Sequence, residues 1–156
     1  MKPLRAHNFG THFVGTQTAS RDPLFISPRY AELLIETLYH YRNEFRFKLH
    51  EFVVMPNHLH LILTPAETLE KAMQLIKGGF SFRLKKDLKK SHEVWQKSFT
   101  DYRLRNNQDW LAYREYLWFN PVKAGLCKEP AEYSYSSATG KYELDPLPQR
   151  LKPDAD

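Results

Sequence analysis

Cysteine is almost absent. Cys127 is the one thiol in 156 residues, so the chain can form no internal disulfide and no Cys-based zinc site. A reducing cytoplasm is the expected setting. Long apolar runs are missing as well: nowhere do about 18 apolar residues follow one another, and the stretch from Met1 to Gly10 lacks the apolar core of a signal peptide. Neither a membrane span nor export is expected. No internal repeat is visible. Acidic charge falls short of basic charge, with 18 Asp and Glu against 23 Lys and Arg, for a net +5 and a pI near 9.3. That balance favours a polyanionic partner, nucleic acid first. What the chain does have is an apolar share of 42% with 14% aromatics, too much for a chain that stays unfolded, and a length that suits one domain.

The charge is unevenly spread. Residues 1–70 hold 7 basic and 7 acidic side chains, 71–105 hold 10 and 3, and 106–156 hold 6 and 8. The whole excess therefore sits in the middle, where Lys77, Arg83, Lys85, Lys86, Lys89 and Lys90 fall within one predicted helix. Such a cluster suits a phosphate track or a solvated helix face.

The pattern of apolar residues gives the order of elements. Thr11 to Gln17 predicts a strand, and Ser27-Pro28 then opens a helix to about Arg42, with Ala31, Leu34, Leu38 and Tyr41 at helical spacing. Phe45, Phe47 and Leu49 alternate with polar residues and lead into the apolar run Phe52 to Met55, a second strand. Pro56-Asn57 turns the chain into a third strand, His58 to Thr64, as an antiparallel hairpin. Thr68 caps a second helix, which Gly78-Gly79 should bend or interrupt. Lys97 to Arg105 predicts a fourth strand, and a third helix starts at Asn107 and should end at Pro121. Together these predict an α+β domain over residues 1–140, a ferredoxin-like split βαβ antiparallel sheet with an additional C-terminal helix. Residues 141–156, with Pro146, Pro148 and Pro153, should form an irregular tail.

Chemistry-bearing residues gather on two elements. On the third strand, His58 and His60 share one face opposite Leu59, Leu61 and Leu63, because strand side chains alternate. Two imidazoles spaced in this way, about 7 Å along a strand, converge on one metal ion if a third ligand approaches. The chain has no His-Glu-x-x-His of a zinc protease and no pair of His-x-Ser/Thr elements of a 2H phosphoesterase. On the third helix, Tyr116 and Asn120 are one turn apart, so a phenol and an amide oxygen share a face. Taken one at a time, these residues read first as packing and helix-termination residues.

Four elements in order make the chain resemble a known family. They are VMPNHLHLI (Val54 to Ile62), IKGGFS (Ile76 to Ser81), WQKSF (Trp95 to Phe99) and YLWFNPVKAGL (Tyr116 to Leu126), with a shorter YSSA (Tyr135 to Ala138) further on. Over roughly residues 10–138 the sequence resembles the single-tyrosine HUH transposases of the IS200-like superfamily, and more closely their REP-associated branch, the RAYT proteins.

The resemblance implies an enzyme that cleaves and rejoins single-stranded or hairpin DNA through a 5′-phosphotyrosine bond. In such an enzyme Tyr116 is the nucleophile, and His58, His60 and Asn120 hold Mg²⁺ or Mn²⁺. Relatives outside the REP-associated branch often carry Gln at the position of Asn120, and many relatives are expected to carry His at the position of Tyr102. Tyr113, two turns from Asn120, is expected to pack or to stack on substrate rather than attack. Lys77, Arg83, Lys85, Lys86, Lys89 and Lys90 are expected to hold the DNA backbone. The protein should act as a monomer or homodimer, away from membranes, in a bacterial cytoplasm and at the nucleoid when bound. Two competing readings are a non-catalytic single-stranded nucleic-acid-binding module of the same fold and a metal-dependent hydrolase that uses water.

Overall fold

A computed structural model describes residues 10–88 and 93–153. Four strands, β1 (His12–Gln17), β2 (Phe47–Met55), β3 (His58–Pro65) and β4 (Thr100–Arg103), form one antiparallel sheet in the order β2-β3-β1-β4. Helices α1 (Pro28–Asn43) and α2 (Leu69–Leu88) follow β1 and β3, and α3 (Asn107–Lys123) follows β4. This is the α+β split βαβ order with one helix added, as the sequence predicts. Among the described residues no helix is long and apolar enough to cross a membrane.

The sheet is buried on both faces, by different partners. Val14, Phe52, Val54, Leu59, Leu61 and Leu63 point toward α1 and α2, where they meet Leu34, Leu38, Ile76 and Phe80. Phe13, Val53, Met55 and Ile62 point the other way and pack on Trp110 and Leu117 of α3 and on Leu151. The change of parity along β2, from Phe47 and Leu49 to Phe52 and Val54, comes from a bulge: Leu49 pairs with Leu63 and Glu51 with Ile62, leaving His50 as the extra residue. The bulge turns Glu51 onto the α3 face, where it is buried.

Several boundaries differ from the sequence expectation. Helix α2 runs without interruption through Gly78 and Gly79. Gly79 is small because α1 passes close by: a Cβ there would come within 2.5 Å of the Tyr41 hydroxyl. Helix α3 continues past Pro121 to Lys123, with Asn106 capping its start by accepting from the Asp109 N–H at 2.9 Å. Strand β2 begins at Phe47, because Phe45 adopts a left-handed φ of 61° and lies exposed. Strand β4 is short because the segment before it runs alongside the chain at the end of β1, where Trp95 bridges Thr18 and the Gln96 N–H donates to the Gln17 carbonyl at 2.9 Å.

After Lys141 the described backbone is irregular apart from Gln149–Leu151, and it is tied down. Asp145 accepts from Arg42 and from the Leu49 N–H, and Leu151 is fully buried under α3. The β2 edge is also closed, because the Val54 N–H donates to the Tyr135 carbonyl and Val53 bridges Ser136.

Candidate active site

His58 and His60 project from the start of β3 toward α3, and Tyr116 and Asn120 project from α3 toward them. All four line one cleft of about 410 Å³ with Gly15, Gln96, Ser98 and Thr100. The histidine rings lean together, with centroids 4.8 Å apart, and Tyr116 meets His60 edge-on at 5.7 Å. One chain therefore assembles the whole group.

The two imidazoles are kept neutral. Burial, and then the neighbouring His58, push His60 down to about 4, and burial lowers His58 as well, with the Asn120 oxygen pulling the other way. His60 lies flat on β1 opposite Gly15. A Cβ on Gly15 would sit 3.1 Å from the imidazole and 3.0 Å from Thr100 Oγ1, so the glycine makes room for the ring. The Val14 backbone is near enough to favour a protonated ring, yet His60 Nδ1 is buried without a hydrogen bond of normal geometry.

His58 is held between two asparagines. Its Nδ1 is 2.7 Å from Asn57 Oδ1 and its Nε2 is 3.3 Å from Asn120 Oδ1, with both amide oxygens turned toward the ring. In the neutral ring the closer oxygen takes the Nδ1–H, which leaves the Nε2 lone pair facing the lone pairs of Asn120. Two acceptors facing each other repel unless a cation lies between them. Octahedral bonds of about 2.1 Å place adjacent donors about 3 Å apart, so this pair fits a divalent ion. Among the described residues no cluster of three or more His, Cys, Asp or Glu side chains can hold a metal, so an amide oxygen is the third donor this site offers.

Helix α3 is held in place by a buried acid. Glu51 Oε1 accepts from Trp118 Nε1–H at 2.6 Å and from the Ser137 hydroxyl at 2.7 Å, and Ser137 Oγ accepts from the Phe52 N–H at 2.9 Å. Burial raises the Glu51 carboxyl above its ordinary value against these donors. Arg114 lies over the Trp118 ring at 4.6 Å. These bonds join strand β2 to two of the sequence elements, the helix of Tyr116 and the YSSA segment. The second serine of YSSA and the tryptophan of YLWFNP signal this clamp in the sequence, and its carboxylate became legible only with the bulge.

The basic residues of α2 have different surroundings. The Lys77 ammonium donates to the Gln96 carbonyl at 2.7 Å and the Ser98 carbonyl at 3.3 Å, and its desolvation lowers the Lys77 pKa. It holds the loop that walls the cleft. Arg83 donates to the Gly79 carbonyl and covers Tyr41, Lys86 lies 4.8 Å from the centroid of the exposed Phe82 ring, and Lys85 flanks a groove with Trp95 and Lys97. Lys89 and Lys90 lie outside the described residues.

The family model described as "Transposase IS200 like" matches residues 6–117, and the chain belongs to that family, a DNA-cleaving class of enzyme. It is 26% identical over 144 residues to the REP-associated tyrosine transposase of Escherichia coli K12, covering 87% of this chain and 84% of that protein. The structure of a REP-associated tyrosine transposase bound to a REP hairpin shares the fold, with a TM-score of 0.73 over 99% of this chain and 96% of the other at 22% identity.

Proposed function

We propose that this transposase cleaves and rejoins single-stranded or hairpin DNA through a 5′-phosphotyrosine bond on Tyr116, with Mg²⁺ or Mn²⁺ held by His58, His60 and Asn120. The observation that carries the reading is the meeting of a half-exposed phenol with two neutral imidazoles and an amide oxygen in one cleft. When bound, the ion supplies Lewis-acid chemistry, offsetting the charge that the scissile phosphate gains in the transition state.

Tyr116 Oη forms a bond to phosphorus as the bond from phosphorus to the 3′ oxygen breaks. The phenolic proton passes to water in the open cleft, and the departing 3′ oxygen takes a proton from water and leaves as a free hydroxyl. Attack by another 3′-OH reverses the exchange, releases Tyr116 and joins two strands with no external energy source. His58 and His60 stay unprotonated at neutral pH and so keep lone pairs for the ion. Lys123 lies 6.0 Å from the centroid of the Tyr116 ring and faces the incoming phosphate. Arg83, Lys85 and Lys86 hold the DNA backbone along α2.

The test is incubation of the protein with labelled hairpin DNA and Mg²⁺ or Mn²⁺, followed by denaturing electrophoresis. A protein–DNA adduct is expected, and Tyr116→Phe should abolish it while leaving hairpin affinity within about twofold. Cleavage without an adduct would instead mean hydrolysis by water. Binding without cleavage would mean a non-catalytic binding module.

A further inference from the structure

One wall of the cleft is a segment with no part in the reaction described above. Trp95 bridges Thr18, and the Gln96 N–H donates to the Gln17 carbonyl at 2.9 Å, so residues 95 and 96 run antiparallel beside the end of β1. On its other side Gln17 pairs with His58 of β3. Gln96 and His58 thus flank the same residue, with backbones about 10 Å apart at two strand spacings. The Trp95 ring packs on Phe25 and Phe80, on the α2 side of the sheet. Alternation then turns Gln96 to the other face, where Gln96 and Ser98, both exposed, line the cleft with Tyr116 and Asn120.

A single residue of α2 sets the position of this wall. The Lys77 ammonium donates to the Gln96 carbonyl at 2.7 Å and the Ser98 carbonyl at 3.3 Å, while the Lys77 carbonyl accepts from Trp95 Nε1–H at 3.2 Å. These bonds join the IKGGFS element to the WQKSF element. The ammonium is partly buried and desolvated, and two of its three protons are directed at backbone carbonyls, so it is poorly placed to follow a DNA phosphate. Gln96 and Ser98 take part through their backbones, which leaves an amide and a hydroxyl for the cleft. Lys97, between them, lines the separate groove of Lys85 and Trp95.

We propose that the Gln96 amide and the Ser98 hydroxyl donate hydrogen bonds to the oxygens of the scissile phosphate, and that Lys77 is the positioning residue that holds them in place. A phosphate within reach of Tyr116 lies between the histidines and this wall. As it gains charge in the transition state, donors fixed beforehand stabilise it without having to reorganise. The inference rests on the strand-cleavage reading and takes Lys77 out of the set that holds the DNA backbone.

The test measures initial cleavage rates on a labelled hairpin with unpaired arms, at saturating DNA with Mg²⁺, and hairpin affinity by fluorescence anisotropy without the metal. Gln96→Ala should slow cleavage about 10- to 100-fold with affinity within about twofold, and Gln96→Glu, which sets a carboxylate against the phosphate, should slow it further. Lys77→Met should slow cleavage to a similar extent and Lys77→Arg should restore part of the rate. In a background of Gln96→Ala with Ser98→Ala, Lys77→Met should cost less than about twofold more, because it acts through the same contacts. The salt dependence of hairpin binding should be the same for Lys77→Met and wild type, whereas a lysine on a phosphate would take about 0.9 from the slope. Unchanged cleavage in Gln96→Ala with Ser98→Ala would overturn the proposal even if Lys77→Met failed to fold, and so would losses that multiply or a reduced salt slope in Lys77→Met. Adduct formation that none of these variants slows would refute this inference alone. Cleavage without an adduct would refute the tyrosine reading while the same rates still judge the phosphate contacts, and no cleavage by the wild type would overturn both.

Discussion

The clamp on α3 makes a sharp prediction about two residues that touch the same carboxylate. Ser137→Ala removes the hydroxyl that donates to Glu51 and accepts from the Phe52 N–H, in a site where Ser137 is 4% and Glu51 6% exposed. A buried amide loses its partner and a buried carboxylate loses one of two donors, together costing about 2–4 kcal/mol. For a domain of this size that lowers the melting midpoint by roughly 5–15 °C. Glu51→Gln keeps an acceptor for Trp118 and Ser137 and removes the desolvated charge, so at pH 7 it should match or exceed the wild type.

The sign with pH follows from the raised carboxyl. The folded state holds a proton above 4.5 that the unfolded state has released, so this group's contribution falls as pH rises from 4.5 through the folded value. Buried histidines act in the opposite direction over part of that range, so the informative quantity is the difference between wild-type and Glu51→Gln stability in urea titrations at successive pH values. A Glu51→Gln variant as unstable as Ser137→Ala, with no change in that difference across pH, would refute the reasoning.

Adjacent glycines on α2 should respond oppositely to alanine. At Gly78 a Cβ meets nothing within 4 Å, so Gly78→Ala should raise stability by about 1 kcal/mol in a thermal melt, whereas at Gly79 it would strike Tyr41, and Gly79→Ala should cost about 1–3 kcal/mol. Acid should destabilise the fold through His60, whose depressed value means that stability present above 6.5 is lost as pH falls through about 4. The loss from this group is on the order of 3 kcal/mol, and His60→Gln should remove it from the pH dependence of urea unfolding. Unchanged acid sensitivity in that variant would assign the effect elsewhere.

Much of the fold could be read from residue alternation. The leucines of β3 and the helical repeat of α1 place themselves, because one face of each must be buried. Where the sequence misled, tertiary contact overrode local preference. Glycines that would break an isolated helix are tolerated in α2, because its apolar face is packed on the sheet and Gly79 takes the Tyr41 ring. Pro121 is accommodated within the last turn of α3, buried among its neighbours, where a proline rule based on local geometry ends the helix too soon. The bulge at His50 has no signal in a period-two pattern, since an extra residue is visible only as a slip against a partner strand.

The cleft was legible residue by residue but not as a set of orientations. Spacing alone put Tyr113 and Tyr116 on neighbouring parts of one helix, and their surroundings separate them. Tyr113 lies between Tyr102 and Phe13, burial raises its phenol, and its ring continues the stack that ends at His60. Tyr116 stands edge-on to both Phe13 and His60 and lines the cleft with Asn120. The Tyr113 ring is wedged between two others, tilted 31° to each. Tyr116, 47% exposed, is the one of the two that lines the cleft. Helix periodicity brings the two tyrosines together, and the sheet residue Phe13, facing α3 through strand alternation, meets one ring tilted and the other edge-on.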